Sequence, residues 1–327
     1  MDRIASRLRE GNSFLVGSHV RLDGDGIASA LAVDLLLCGL GKKSQVVTPG
    51  PIPTVFRFLP GAERAADLDA SPDLALPDDL DTFVVVDVAD VVRLGRLRER
   101  VDDGVFTVSI DHHGTGDLGA DLDYCDPEAS STGELIRLLF ERGGFEITTD
   151  IATNIYTAVM SDTQRFSLPN TSPRALRIAA EMVERGAEPG FIGDRVYRSH
   201  QPGQLALWGE AASRVQVDPD GRLAWTALTR DMFAKHEVHP DDTQDFADIA
   251  RMLAGVEVGV LFRERTDHAG VRVSLRSNRT PVLSVAEHFG GGGHLLACGC
   301  ELDTTLEEAQ EKVLKEVRRV LAAAKAL

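Results

Sequence analysis

Apolar residues in the first half of the chain come in short continuous runs that alternate with stretches of helical spacing. Residues 14–17 read as a strand, and 27–37 as a largely apolar helix with Asp34 inside it. Residues 82–86 form a second buried strand leading into Asp87, 91–101 are helical, and 105–110 form a third strand leading into Asp111. Further helices are expected at 132–142, 150–159 and 173–185. Continuous apolar strands alternating with amphipathic helices predict a mainly parallel sheet covered on both faces.

The alternation breaks around 186–203, where Pro189, Gly190, Pro202 and Gly203 mark a connector, in part helical. Beyond it the period changes to two. Val256, Val258, Val260 and Phe262 alternate with other residues, and Val271, Val273 and Leu275 alternate with Arg272, Ser274 and Arg276, as in strands with one buried face. Helices at 242–253 and 306–324 complete a smaller α+β region. The expected fold is therefore α/β. A parallel-sheet domain spans 1–187, a connector 188–205 and an α+β domain 206–327, with the active site in the cleft between the domains.

Composition narrows the function classes. No apolar run is long enough to span a bilayer, and the charged start Met-Asp-Arg lacks the core of a signal peptide, so a cytoplasmic protein with no membrane partner is expected. Cys38, Cys125, Cys298 and Cys300 include no Cys-x-x-Cys pair and read as reduced structural thiols; Cys298-x-Cys300 has no second pair to complete a zinc tetrahedron. With 35 basic against 51 acidic residues and a net charge of −16, the chain lacks the cationic track that a long nucleic acid requires. A local basic stretch, Arg263, Arg265, Arg272, Arg276 and Arg279 against Glu264 and Asp267, suits a small phosphorylated ligand.

Candidate chemistry gathers in four segments: His19-x-x-x-Asp23-Gly-Asp25, Asp87, Asp111-His112-His113 and Asp162. Three of them lie beyond predicted strands, and ligands of open α/β sheets sit outside the carboxyl ends of strands. Gly24 and Gly26 let two nearby carboxylates diverge onto neighbouring ions, although Asp25 could equally cap the helix and Asp87 the one after it. Adjacent imidazoles after a strand-end carboxylate have no obvious packing role. An Asp162 at a helix C-terminus opposes the helix dipole unless a cation is near. Farther on, Gly290, Gly291, Gly292 and Gly293 could turn backbone N–H groups onto an anion beside His294, or could simply form a flexible loop. Arg276, with Ser277 next to it, could bind a phosphate, whereas for Arg272 a solvated strand face is an equal reading.

Taken in order, His19-Val-Arg-Leu-Asp23-Gly-Asp25, Val-Val-Asp87, Asp111-His112-His113-Gly, Ser161-Asp162-Thr163 and the Gly290–His294 run resemble the DHH family of phosphoesterases with its DHH-associated C-terminal domain. The resemblance implies a two-metal hydrolase. One ion would be held by His19, Asp23 and Asp87, and the other by Asp25, Asp87, His112 and Asp162, with Asp87 bridging. Two imidazole ligands favour Mn²⁺, with Mg²⁺ as the alternative. Asp111 would orient its neighbours. His113, Arg276, Ser277, Gly291, Gly292, Gly293 and His294 would bind substrate. Departures are modest: Leu22 stands where a proline is common, Gln164 where a glycine follows Asp-Thr, and Cys298 where an alanine is usual.

Chain length and Phe58-Leu-Pro60-Gly61 look like the NrnA-type branch of the family. That branch shortens very short RNAs from an end and removes the 3′-phosphate of 3′-phosphoadenosine 5′-phosphate. The implied partners are short RNA oligonucleotides or small phosphorylated nucleotides, and a homodimer is the candidate assembly. A cyclic di-AMP or linear di-adenylate phosphodiesterase is the alternative within the family. A metal-dependent nucleotide sensor without turnover is the alternative outside enzymes.

Overall fold

The computed structural model describes residues 1–324 except Arg21, Asp103, Thr115 and Asp117. It divides into two compact units, residues 1–199 and 200–327.

The first unit is a six-stranded, all-parallel sheet of β1 (Ser13–Gly17), β2 (Lys43–Thr48), β3 (Ala66–Asp67), β4 (Thr82–Val86), β5 (Phe106–Asp111) and β6 (Leu122–Cys125), in the order β3-β2-β1-β4-β5-β6. Its helices are α1 (Asp2–Glu10), α2 (Gly24–Gly39), α3 (Arg96–Glu99), α4 (Thr132–Gly143), α5 (Thr149–Asp162), α6 (Pro173–Glu184) and α7 (Pro189–Tyr197). The pleat sends Phe14, Val16, Val84, Val86, Val108 and Ile110 into one core, which is shared with α2, α4 and α5. Leu15, Phe83 and Val85 enter a second core on the opposite face. The α/β reading holds, and the continuous apolar strands follow from burial on both faces.

Two predicted helices begin or break elsewhere. The 27–37 helix starts at Gly24, because the Asp23 carboxylate caps it by accepting the Gly26 N–H at 3.0 Å. Helix α2 is buried nearly all round, and its interior Asp34 is answered by Arg64. The 91–101 helix divides into a 3₁₀ turn, Val91–Leu94, and α3, because Gly95 adopts φ +53°. A Cβ there would lie 2.6 Å from a Val20 methyl, so the break is steric.

The second unit holds α8 (Pro202–Ser213), β7 (Gln216–Val217), β8 (Leu223–Leu228), α9 (Arg230–His236), β9 (Val258–Glu264), β10 (Val271–Ser277), α10 (Leu283–His288), β11 (Gly292–Gly293), β12 (Ala297–Leu302) and α11 (Leu306–Ala324). Its mixed sheet runs β11-β12-β10-β9-β8-β7, with β8 and β9 parallel. Val258, Val260, Phe262, Val271, Val273 and Leu275 pack with α10 and α11 residues in one core, as the period predicts. The other face is not solvent-exposed as expected. Leu261 and Leu228 join Leu207, Phe233 and Phe246 in a second core, and Arg263 is buried with its guanidinium bonded to Ser274 Oγ at 2.6 Å and the Thr243 carbonyl at 3.2 Å. The helix expected at 242–253 is instead two 3₁₀ segments, Pro240–Asp248 and Ala250–Met252, with non-helical angles at Asp242 and Thr243. Thr243 Oγ1 bonds the Pro240 carbonyl at 2.6 Å, a local bond that competes with the α-helical ladder.

Among the described residues no helix is long and apolar enough to cross a membrane, and all four cysteines are free. Helices α4 and α5 meet at Gly133, where a Cβ would stand 2.4 Å from that of Ala158. Gly133→Val should therefore lower unfolding stability by about 1–3 kcal/mol through overpacking, read as a fall in the urea midpoint.

Candidate metal centre

Strand order reverses between β1 and β4, and the crevice beyond their carboxyl ends is where open α/β sheets receive ligands. His19 follows β1 by two residues, Asp87 directly follows β4, and Asp111 is the last residue of β5. Asp25 lies in the first turn of α2 and Asp162 ends α5. Five elements thus deliver side chains to one place. His19, Asp23 and Asp87 offer donor atoms within 4.8 Å of one another, as do Asp25, Asp87 and His112, and also Asp87, Asp111 and His113. Asp87 is common to all three groups. His19 Nε2 lies 3.3 Å from Asp87 Oδ2 and 3.7 Å from Asp23 Oδ1. His112 Nε2 lies 3.7, 3.6 and 3.5 Å from oxygens of Asp25, Asp87 and Asp162.

The imidazoles are oriented from behind. His19 Nδ1 is 2.8 Å from the Val20 carbonyl, and His112 Nδ1 is 3.3 Å from that of Ala129. A carbonyl only accepts, so each Nδ1 carries a hydrogen, and Nε2 is the ring atom turned toward the carboxylates. His19 Nε2 is buried and makes no hydrogen bond. His113 Nδ1 instead meets Asp111 Oδ1 at 2.7 Å, so Asp111 sets the direction of that ring.

Asp87 adopts φ +61°, the left-handed region that non-glycine residues enter at a cost of about 1–2 kcal/mol. Its N–H bonds the Ile110 carbonyl of β5 at 3.0 Å, and its side chain accepts from Thr132 Oγ1 at 3.0 Å. The start of α4 also serves Asp25, whose two oxygens accept the Thr132 N–H at 2.6 Å and the Gly133 N–H at 2.9 Å. Ser131 caps α4 by accepting from the Glu134 N–H. The Glu134 carboxylate takes both the N–H and hydroxyl of Ser130, and is itself paired with Arg174. Gly26 keeps the centre open, since a Cβ there would lie 2.6 Å from Ser18 Oγ and 3.0 Å from His19 Nε2.

Burial and mutual repulsion shift the acidic groups of the centre. Burial pushes Asp162 up to about 7, assisted by the charges of Asp23 and Asp87 and opposed by His112. Burial likewise raises Asp25 well above its usual range, reinforced by Asp87, Asp162 and Asp23. Burial disfavours charge on His19, yet Asp23 and Asp87 lift it to about 10. Asp87 is held low against burial by the neighbouring histidines. The donor set of carboxylate oxygens with two oriented imidazoles fits divalent metal ions.

The turn after Asp162 is strained. Gln164, Arg165 and Phe166 have φ of +43°, +61° and +61°. The turn is pinned by bonds from the N–H of Gln164 to the Ser161 carbonyl (3.0 Å), of Arg165 to the Met160 carbonyl (2.8 Å) and of Phe166 to Thr163 Oγ1 (3.1 Å). A glycine at position 164 would meet this geometry without a steric cost.

The second-unit residues expected to bind substrate lie on one hairpin and the strand beside it. Gly292 and Gly293 pair with Gly299 and Cys298, and a Cβ at Gly291 would stand 2.1 Å from the Gly299 carbonyl oxygen, so close strand contact demands glycine there. The N–H groups of Gly290, Gly291 and His294 donate to the carbonyls of Glu287, Ala286 and Ala297, so those three are engaged within the hairpin rather than turned onto an anion. Arg276 and Ser277 end β10, and Arg276 pairs with Ala297 of β12. Arg272 pairs with Glu301 directly across the strands at 3.1 Å, a structural ion pair.

The profile described as the DHH family, N-terminal domain, matches residues 13–161, and that of the DHHA1 domain matches residues 223–323. The bifunctional oligoribonuclease and PAP phosphatase NrnA of Thermus thermophilus is 34% identical over 94% of this chain and 90% of its own length. The chain belongs to the DHH family. Among solved structures of similar fold, an exopolyphosphatase-related protein from Bacteroides fragilis superposes with a TM-score of 0.88 at 26% identity, covering 99% of this chain and 96% of that one. The exonuclease RecJ of Thermus thermophilus, in complex with Mn²⁺, shares the fold at a TM-score of 0.53 and 18% identity, over 100% of this chain and 55% of its own.

Family motifs point to the carboxylates and histidines but not to Ser130, Ser131, Thr132, Gly133 or Gly26. Ser131-x-x-Glu134 is a capping-box pattern that marks a helix start in the sequence. Nothing in the sequence says that this start faces Asp25 and Asp87. Thr132→Val should cost about 1.5–3 kcal/mol, because it removes a bond to a buried carboxylate. Thr132→Ser should retain most of that stability in parallel denaturation curves.

Proposed function

We propose that this chain hydrolyses phosphate esters of short oligoribonucleotides and of 3′-phosphoadenosine 5′-phosphate, with two divalent metal ions at the Asp87 cluster. The observation that carries the reading is the pair of donor groups sharing Asp87, His19 and Asp23 on one side and Asp25 and His112 on the other, with Asp162 beside His112. The substrates follow from NrnA, a relative matched over nearly its whole length. Bound there, two divalent ions would lower the pKa of a shared water and polarise the phosphate under attack.

The chain's own residues prepare that chemistry. His19, Asp23 and Asp87 would hold one ion, and Asp25, Asp87, His112 and Asp162 the other. Two imidazoles in the set favour Mn²⁺ over Mg²⁺. Thr132 and the start of α4 fix the oxygens of Asp87 and Asp25 before substrate arrives. Burial works against charge on His113, but Asp111 and Asp87 raise its pKa, which favours an imidazolium that donates from Nε2 to the phosphate. Arg276, Ser277, His294 and the approach over Gly292 would receive the terminal phosphate, and the net charge of −16 disfavours long nucleic acid.

Asp87→Ala should reduce phosphate and mononucleotide release to background while circular dichroism stays native-like; retained turnover would defeat the hydrolase reading. A sensor would bind the same ligands under Mn²⁺ without product. Ion binding should also expel protons. Asp25 and Asp162 hold protons above the ordinary carboxylate range, and His19 is protonated at neutral pH, so metal displaces them and affinity falls as pH drops through 7. Calorimetric titration of Mn²⁺ in two buffers of different ionisation enthalpy should give different apparent heats.

A further inference from the structure

We propose that a groove formed by α5, the turn 164–166 and α7 binds the base of the nucleotide adjoining the one released, a subsite used by oligoribonucleotides and not by single nucleotides. The inference rests on the short-RNA reading above. The groove has a volume of roughly 330 Å³ and is lined by Tyr156, Met160, Arg165, Phe166, Gly193 and Tyr197, among others. That volume lies within the range of small-ligand sites, about 300–1,000 Å³.

Three observations support an occupant. First, the chain has three tyrosines, and two of them line this one groove. Packing needs only the ring. Tyr156 is 7% exposed, yet among the described residues neither phenol hydroxyl has a hydrogen-bond partner, so both are available to polar edges of a ligand. Second, the left-handed turn Gln164–Phe166 is an outlier of the kind that persists when its surroundings hold it, and such segments cluster at ligand clamps. Its result is specific: Arg165 lies over the Tyr197 ring at 4.5 Å, and Phe166 meets Tyr156 edge-on at 6.1 Å. Guanidinium and aromatic planes are the surfaces on which unpaired bases stack. Third, the groove is tied to the candidate metal centre, since Arg165 follows Asp162 by three residues, at most about 11 Å of chain. A base held here would belong to a nucleotide next to the phosphate at the cluster. A cationic side chain also suits a phosphodiester in a unit that is otherwise acidic.

The test compares kcat/KM on a diribonucleotide with kcat/KM on 3′-phosphoadenosine 5′-phosphate in the full-length protein under Mn²⁺. Tyr197→Leu and Arg165→Ala should each lower the dinucleotide-to-single-nucleotide ratio by about tenfold, as expected for loss of one base stack, with the change in KM. Tyr197→Phe should keep most of the ratio. An unchanged ratio, or an equal fall on both substrates, would overturn the subsite and leave the groove as a packing feature of the turn. Binding of a dinucleotide carrying 2-aminopurine at its second position gives a readout independent of turnover: quenching is expected in the wild type and should be lost in Arg165→Ala. Absence of quenching in the wild type would overturn the subsite. A wild type that quenches but releases no product would instead defeat the hydrolase reading and leave the subsite standing.

Discussion

Asp87 is a carboxylate 2% exposed, at the end of a central strand, on a backbone turned into the left-handed region. Burying such a group is tolerable only when its charge is answered. Here the answers come from both sides: His19 lies against one oxygen, and Thr132 and His112 against the other, while the Asp87 N–H ties the backbone to the Ile110 carbonyl of β5. Because Asp87 belongs to both donor groups, a change in its orientation would disturb both together. The reversal of strand order between β1 and β4 makes this sharing geometrically available.

Around that carboxylate the fold supplies counter-charge by fixed dipoles as well as by side chains. The start of α4 points two N–H groups at Asp25, and such a terminus carries partial positive charge. The end of α5 does the opposite to Asp162, a carboxyl that burial and the charges of Asp23 and Asp87 push up to about 7. Backbone carbonyls fix a hydrogen on Nδ1 of His19 and His112, which decides that Nε2 faces the carboxylates. The result is a set of oriented carboxylate and imidazole donors of the kind that fits divalent cations.

The glycine run behaves differently from the expectation that it turns its donors onto an anion. Gly291 and Gly293 are required by close strand contact, and three nearby N–H groups are engaged inside the hairpin. Its approach over Gly292 remains open. A glycine cluster can thus be structural and still leave a surface on which backbone comes near a ligand.

The sequence by itself determined the layered α/β plan, because continuous and alternating apolar runs encode how many faces of a strand are buried, and it named the carboxylates and histidines of the centre through their order. It did not disclose β2, β3 or β6, whose residues are short or mixed in polarity and take their conformation from neighbouring strands. Nor did it disclose that Thr132 and Gly133 hold Asp87 and Asp25, more than 40 and 100 residues away, or that Tyr156, Phe166 and Tyr197 meet in one groove. Local pattern fixes which face of an element is apolar. Which helix terminus meets which carboxylate is decided by packing between distant segments, and only the tertiary structure contains that.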